Sequence, residues 1–449
     1  MYGPAVAWHV VIAGGGYGGL YAARALERKL PPASARITLV NDTNFFLFTP
    51  LLPGAAGGTL EPRHVVVPLR EALHRTDLRV GTVVDADPDR NCLRVQALEG
   101  HIEDLEYDHL IVALGSVSRT LPIPGLAEHA VGFKTLPEAI ALRNRVIRSL
   151  EAAETLDDPE ARASYLNFVF VGAGYAGVEG LAELQDLAAD IIDRYPRSRV
   201  QGMRWVLVER QERIMPEVPP SLSDFAEREL RRRGIEVYSN TSLAEVTETS
   251  ARLSDGQVIP TRTVAWTAGV KPHPVVERLG LPLQRGRIAT DRYCQVAGRA
   301  NVWAVGDAAA VPDPAKRRLD ASPPTAQHGM RQGKVAAQNV AAALGRGRRR
   351  SFNYRTLGVF VDMGRRQAVA QTVGLRWRGW FAWFLARTYH LGLMPGVGRR
   401  VRLLVDWNVG LFFGRDSAEL GQLGHPPRLE EHSAGGTPVQ TARGSAAPR

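Results

Sequence analysis

One design occurs twice in this chain. HVVIAGGGYGGLYAARAL (9–26) and NFVFVGAGYAGVEGLAEL (167–184) each run a β-branched apolar stretch into a glycine turn and then into a helical pattern of small and apolar residues. A continuous apolar run, rather than an alternating one, marks a strand buried on both faces of a parallel sheet. Each repeat is followed by a second such strand ending on a polar or acidic residue, RITLVND (36–42) and RWVLVER (204–210). Two strand–helix–strand units of this kind predict an α/β fold with two Rossmann-like dinucleotide-binding domains. Further strands ending at glycine are expected at HLIVALG (109–115), TVAWTAG (263–269) and NVWAVGD (301–307).

The second unit lies between pieces that belong with the first, so it is placed as an insertion. The expected division is 1–159 for the first part of the first domain, 160–272 for the inserted domain and 273–345 for the return. Residues 346–421 form a C-terminal region, opening with RGRRR (346–350) and a short β-rich section (352–373). The tail 422–449, rich in Gly, Pro, Ser and Ala, is expected to be disordered.

Composition removes several classes. Only two cysteines occur, Cys92 and Cys294, with no CxxC, which excludes a disulfide scaffold and dithiol redox chemistry, and no metal site is expected. The net charge of +10 is concentrated: residues 345–415 carry 14 Arg against two acids, Asp362 and Asp406. Basicity confined to one region speaks against a nucleic-acid-coating surface, so no nucleic-acid partner is expected. Met1–His9 has no basic stretch ahead of an apolar one, so no signal peptide is expected. No uncharged apolar run of about 18–20 residues is present, so no spanning helix is expected.

Gly14, Gly16 and Gly19 stand in G-x-G-x-x-G spacing, with Gly18 beside them, and Gly172, Gly174 and Gly177 repeat it. The first glycine permits the tight turn, the second lets backbone approach a diphosphate, and the third lets helix pack on strand. The diphosphate then sits at the positive end of the helix. Glu209, closing the second strand of the second unit, is placed to accept hydrogen bonds from ribose hydroxyls and to repel a 2′-phosphate. That argues for NADH over NADPH, although Arg210 beside it pulls the other way. The first unit has Asn41 and then Asp42 at this place, either of which suits an adenine-nucleotide ribose. Two nucleotide sites in one chain make chemical sense if one holds a flavin and the other a nicotinamide, an electron sink facing a hydride donor. Asp307, after the strand ending at Gly306, is placed to bond the ribityl chain of FAD and equally to cap a following helix.

These motifs, in this order, resemble the flavoprotein disulfide-reductase superfamily, and within it the type II NADH:quinone oxidoreductases, single-subunit NADH dehydrogenases that do not pump protons. The likeness runs from about residue 8 to 421. Its carriers include VVIAGGGYGGLYAAR (10–24), FLFTPLLPGAAGGTLEP (46–62), FVFVGAGYAGVEGLAEL (168–184), VWAVGDAAAVPDP (302–314), PPTAQHGMRQGKVAAQN (323–339) and GRRQAVAQ (364–371). The resemblance implies non-covalent FAD with its diphosphate at Gly14–Gly19, its adenine on the Val83 backbone and its ring edge at Thr49, Pro50 and Leu51. It further implies Gly115, Gly306, Asp307 and Ala308 along the ribityl and ring, and Ala326 and Gln327 at the pyrimidine side. NADH would lie on Gly172–Gly177, Glu209 and Gly269. Glu179, in GYAGVEG, matches the family glutamate linked to quinone protonation, a role that suits a carboxyl beside a two-electron, two-proton reduction.

One stretch departs from the family. Its quinone-facing AQxAxQ reads Ala326-Gln327-His328-Gly329-Met330-Arg331-Gln332 here, with Arg331 in the usual glutamine place and Gln332 next to it. Gln327, Arg331 and Gln332 are therefore the expected quinone contacts, and His328 and His390 are secondary candidates for proton delivery.

The C-terminal region can be read without the family. At 100° per residue, Trp377, Trp380, Phe381, Phe384 and Leu391 share one arc, and Val401, Leu404, Val405, Leu411 and Phe412 share another, with Arg399 and Arg402 opposite. Aromatic and aliphatic faces backed by arginine suit helices lying in a membrane interface against anionic lipid. Packing on the protein's own core or across a homodimer is the alternative. Arg387, mid-segment, argues against spanning. The reading is a peripheral membrane enzyme, on the cytoplasmic side, passing two electrons from NADH through FAD to a membrane quinone. A reductase of a soluble acidic protein and an NADH-sensing flavoprotein without turnover remain the alternatives. Sulfide:quinone reductase chemistry is set aside, since it needs a reactive cysteine pair.

Overall fold

The computed structural model describes residues 8–314, 320–356 and 358–419; the tail expected to be disordered, 422–449, and Met1–Ala7 lie outside them. The first sheet runs Val302–Ala304, His109–Val112, Trp8–Ala13, Ala35–Asn41 and Asp77–Asp87, all parallel, and Cys92–Ala97 and Ile102–Glu106 extend it antiparallel. Val10, Val11, Ile12 and Ala13 are fully buried, as expected of strands covered on both faces. Helix Tyr17–Lys29 packs on helix Ala326–Ala343 so closely that a Cβ on Gly333 would stand 2.1 Å from the Gly18 carbonyl oxygen. Glycine at both places lets the two backbones touch.

The second sheet, also parallel, runs Ala130–Gly132, Thr263–Trp266, Asn167–Val171, Arg204–Val208 and Ile235–Tyr238. Its core is built around Phe168 stacked on Trp205, ring centroids 4.3 Å apart. The expected boundary at 159/160 needs correcting. Strand Ala130–Gly132 pairs with Thr263–Trp266, and helix Leu136–Thr155 buries Leu142, Val146 and Leu150 in the second core. Both therefore belong to the inserted unit. The outgoing chain, Ser116–Ser118, runs antiparallel to the returning one, Val270–Pro272, so the crossover lies at that pair.

The C-terminal region opens with an antiparallel sheet of Gly358–Asp362, Ala368–Thr372 and Leu375–Arg378. Helices Gly379–Leu393 and Val397–Phe412 follow. Trp377, read above as helical, is instead in the third strand: it pairs with Ala370, and its indole N–H donates to Thr372 Oγ1 at 2.9 Å. Leu391 also departs from its expected outward arc and packs against the first core, to which Met394, Leu403 and Trp407 contribute as well. The rest of both arcs is at the surface, with Trp380 57% and Phe412 81% exposed. Asp406 fastens the last helix to the first unit through His64 Nδ1, 2.6 Å away. No helix among the described residues is long and apolar enough to cross a membrane.

Candidate active site

Both glycine turns have the same physical build. Gly14 (φ +104°) and Gly172 (φ +102°) adopt backbone that L side chains avoid. A Cβ on Gly19 would lie 1.7 Å from the Gly14 carbonyl oxygen, and one on Gly177 1.9 Å from that of Gly172. Gly16 and Gly174 differ: a Cβ on either would meet nothing within 4 Å. Each is the N-terminal flank of a helix that has no side-chain cap and no acid in its first turn. Helix Leu136–Thr155, by contrast, has a full Thr135–Glu138 capping box. Two long helices thus leave their first N–H groups free where an anionic ligand can take them.

The strand-end residues hold these turns from below. Asn41 Oδ1 accepts the Gly15 N–H at 2.7 Å, while its Nδ2 donates to the Thr43 carbonyl. Glu209 Oε2 accepts the Ala173 N–H at 2.8 Å and Oε1 the Gln211 N–H at 2.9 Å. The sequence reading aimed both side chains at ribose; here each also shapes the loop that would meet the diphosphate. Asp42 is exposed at the rim.

An open cleft of about 330 Å³ gathers Gly14, Gly16, Gly18, Asn41, Asp42, Thr49, Val83, Gly115, Gly306, Asp307 and Ala326, residues drawn from widely separated parts of the chain. Gly19 and Ala308 lie behind its wall, Ala308 fully buried. Gly269 (φ +94°) lies in the turn between strands Thr263–Trp266 and Val270–Pro272. Asp307 does not begin a helix, as the sequence suggested, but stands in a single 3₁₀ turn, Gly306–Ala308. Sequence reasoning missed Ser116 and Lys134. Ser116 Oγ donates to Asp307 Oδ2 at 2.5 Å, and Lys134 Nζ donates to Ser116 Oγ at 2.8 Å. Burial lowers the Lys134 pKa, while Asp307 and Glu138 act to raise it. Lys134 is the one lysine or arginine on the wall of this cleft among the described residues. The uncapped helix start and the open space above Gly16 fit FAD here, with the diphosphate at the helix and polar groups along the ribityl chain.

A second, smaller cavity of about 40 Å³ lies where the two units meet the C-terminal region. Pro50 and Leu51 line it from the first unit, Glu179 and Glu183 from helix Tyr175–Ile191, and Asp362, Arg387 and His390 from the C-terminal region. Glu179 Oε1 accepts the Asp362 N–H at 3.0 Å. Burial pushes the Glu179 carboxyl well above the usual range; the Asp362 N–H acts in the opposite direction, while the charges of Asp362 and Glu183 add to the rise.

The three expected quinone contacts do not share one role. Gln332 is 1% exposed, lines neither cavity, and its Oε1 accepts the Gly306 N–H at 2.8 Å, so it latches the Asp307 turn. Gln327 Nε2 donates to the Gly358 carbonyl at 3.2 Å, and its Oε1 accepts from the Tyr354 hydroxyl. Arg331 lies over the Tyr354 ring at 3.9 Å from its centroid. His328 is buried in the first turn of its helix, where the capping residue Thr325 accepts its backbone N–H with Oγ1 and also bonds its ring Nδ1, so the ring is tied to the cap. His390 is different: it lines the small cavity with Nδ1 unbonded.

The family pattern of the pyridine nucleotide-disulphide oxidoreductases matches residues 8–333. Among characterised proteins, the type II NADH:quinone oxidoreductase Ndh of Mycobacterium tuberculosis is 30% identical over 420 residues, covering 89% of this chain and 87% of that protein. NdhA of the same organism, also a type II NADH:quinone oxidoreductase, is 31% identical over 434 residues, covering 92% and 88%. A solved structure of NDH2 from Plasmodium falciparum in complex with NADH superposes with a TM-score of 0.83 at 19% identity, covering 92% of this chain and 99% of that one, which shows the shared fold.

Proposed function

Because the chain belongs to the pyridine nucleotide-disulphide oxidoreductase family, and within it to the type II NADH:quinone oxidoreductases, we propose that it oxidises NADH and passes two electrons to a membrane quinone without pumping protons. FAD, when bound, would supply the two-electron carrier between NADH and the quinone. The chain's own residues set the geometry for this. The Gly16 loop and the Ser116–Lys134–Asp307 chain would hold FAD, and the Gly174 loop and Glu209 would hold NADH. The Glu209 carboxylate, held in place by two backbone N–H groups, would face the ribose and repel a 2′-phosphate, which favours NADH.

One observation carries the acceptor side. Glu179 sits on the helix that the second glycine loop starts, yet opens into a cavity shared with Pro50 and Leu51 of the first unit. A carboxyl whose neutral form burial favours is suited to take up a proton there and hand it to a quinone oxygen. The exposed apolar faces of helices Gly379–Leu393 and Val397–Phe412, with their arginines, support attachment to an anionic membrane surface, on the cytoplasmic side where NADH is supplied. Anaerobic stopped-flow measurement tests the reading: NADH should bleach the flavin, and a short-chain quinone should restore it over repeated turnovers. Bleaching without restoration would leave a sensor, and restoration by an acidic protein alone would leave a soluble-acceptor reductase.

A further inference from the structure

The small cavity contains more polar chemistry than one glutamate needs. Glu183 is 4% exposed, and its Oε2 makes no hydrogen bond, although Arg415 Nη2 stands 3.3 Å away. Arg387 Nε and His390 Nδ1, both on the wall of the same cavity, are buried and unbonded as well. Three unbonded polar atoms around about 40 Å³ is the setting of an internal water, which needs about 10–15 Å³ and two to four polar partners.

Charge counting points the same way. The buried acids are Glu179, Glu183, Asp186 and Asp362, and the buried or nearly buried cations facing them are Arg233, Arg387 and Arg415. Asp186 is bonded to Arg233 at 2.6 Å. The half-exposed pair Asp190 and Arg365 offset each other, Asp190 against Arg415 and Arg365 against Asp186. Arg143 donates to the Asp416 carbonyl, and Arg366 acts on Arg387 only at longer range. His390 is kept neutral by burial, its pKa lowered to about 4. One carboxylate is left without a cation, so the cluster as a whole favours one bound proton.

We propose that Glu183 and Asp362, bridged to Glu179 by water in this cavity, form a one-proton store that resupplies Glu179. This rests on the quinone reading above. The stoichiometry matches: NADH + H⁺ + quinone gives NAD⁺ + quinol. Hydride brings both electrons and one hydrogen, so the protein takes exactly the remaining single proton from water in each turnover. Burial pushes the Glu183 carboxyl up to about 7 against the opposing charge of Arg415, so the store gains and loses its proton near neutrality. Arg387 and Arg415 stay charged throughout and act as fixed counter-charges.

The test uses the full-length, FAD-loaded protein. Infrared pH titration without NADH or quinone should show a deuterium-sensitive protonated-carboxyl band at about pH 6 that is gone by about pH 9, and Glu183→Gln should remove it. In stopped flow, Glu183→Gln should slow flavin reoxidation by a short-chain quinone about tenfold or more and flatten its pH profile, with reduction by NADH nearly unchanged. Absence of the titrating band from the unmodified protein overturns the store. So do Glu183→Gln and Asp362→Asn variants that keep both the rate and the pH profile of reoxidation. A band present in a protein that no quinone reoxidises would uphold the store and overturn the quinone reading instead.

Discussion

Replacing Gly16 by alanine should separate FAD binding from folding. At this position φ is −73° and a Cβ would meet nothing within 4 Å, so the protein without flavin has no strain to absorb. Loss of glycine's freedom in the unfolded chain should leave it unchanged or raise its stability by about 0.4–1 kcal/mol. The new methyl would occupy the cradle over the helix start. If it lifts the diphosphate off one backbone N–H, the lost charged hydrogen bond is worth about 1.5–3 kcal/mol. At 1.4 kcal/mol per decade, FAD affinity should fall roughly 10- to 100-fold. Gly19→Ala is the contrast. Its Cβ would sit 1.7 Å from the Gly14 carbonyl oxygen and 3.3 Å from Ile12, so the helix must move off the strand at a cost of about 1–3 kcal/mol or more. Thermal melts of the flavin-free proteins and FAD titration by flavin fluorescence read the two effects separately. A Gly16→Ala protein that binds FAD as tightly as its parent, or melts as low as Gly19→Ala, would refute the reasoning.

Three further outcomes are expected. Glu209→Ala should lower stability by about 1–3 kcal/mol, because it leaves the Ala173 N–H without its acceptor, and should also narrow the NADH:NADPH ratio of kcat/KM; a narrowed ratio at unchanged melting temperature would mean that the loop does not depend on it. Replacing Trp380, Phe384, Leu404 and Val405 together by serine should reduce co-sedimentation with anionic vesicles by about three orders of magnitude, at roughly 1 kcal/mol per half-exposed side chain, with folding and flavin content intact. His390 has a folded pKa lowered to about 4 from 6.5, so the unfolded chain binds its proton first as pH falls. Its contribution, about 3 kcal/mol, is whole above pH 6.5 and is lost on descending toward pH 4. Glu183, raised to about 7, works oppositely between about 4.5 and 7, so acid unfolding of Glu183→Gln should be steeper than that of the parent and shallower again when His390→Asn is added.

What could be read from the chain alone was what local backbone chemistry dictates. The glycine spacings, the buried strands and Asp307 each follow from a turn or a strand end, and the first glycine loop and Asp307 meet in one cleft. Lys134 and Ser116 were not legible, because a single polar residue beside a strand gives no periodic signal, and their role depends on a carboxylate that Asp307 supplies from far along the chain. Gln332 was misread for a related reason: its place next to the family's glutamine says nothing of the Gly306 N–H that its amide meets. The domain boundary failed because an edge strand of three residues, Ala130–Gly132, is too short to declare its sheet. Trp377 failed because an aromatic residue fits a helical arc and a strand equally well until its neighbours are known.

The order of strands in the first sheet also sets a timetable for synthesis. His109–Val112, buried along its whole length, is flanked on one side by Trp8–Ala13 but on the other by Val302–Ala304. The inserted unit between them is continuous from Ala130 to Trp266 and can close on its own while the ribosome is still working. At roughly 5–20 residues per second, the gap of about 190 residues leaves one edge of His109–Val112 bare for about 10–40 s. An unpaired, apolar edge is a template for pairing with another nascent chain. A nascent chain of this protein therefore passes through a sticky half-sheet before its partner strand emerges, and slowed translation between the two strands should cost soluble yield even where the finished enzyme is stable.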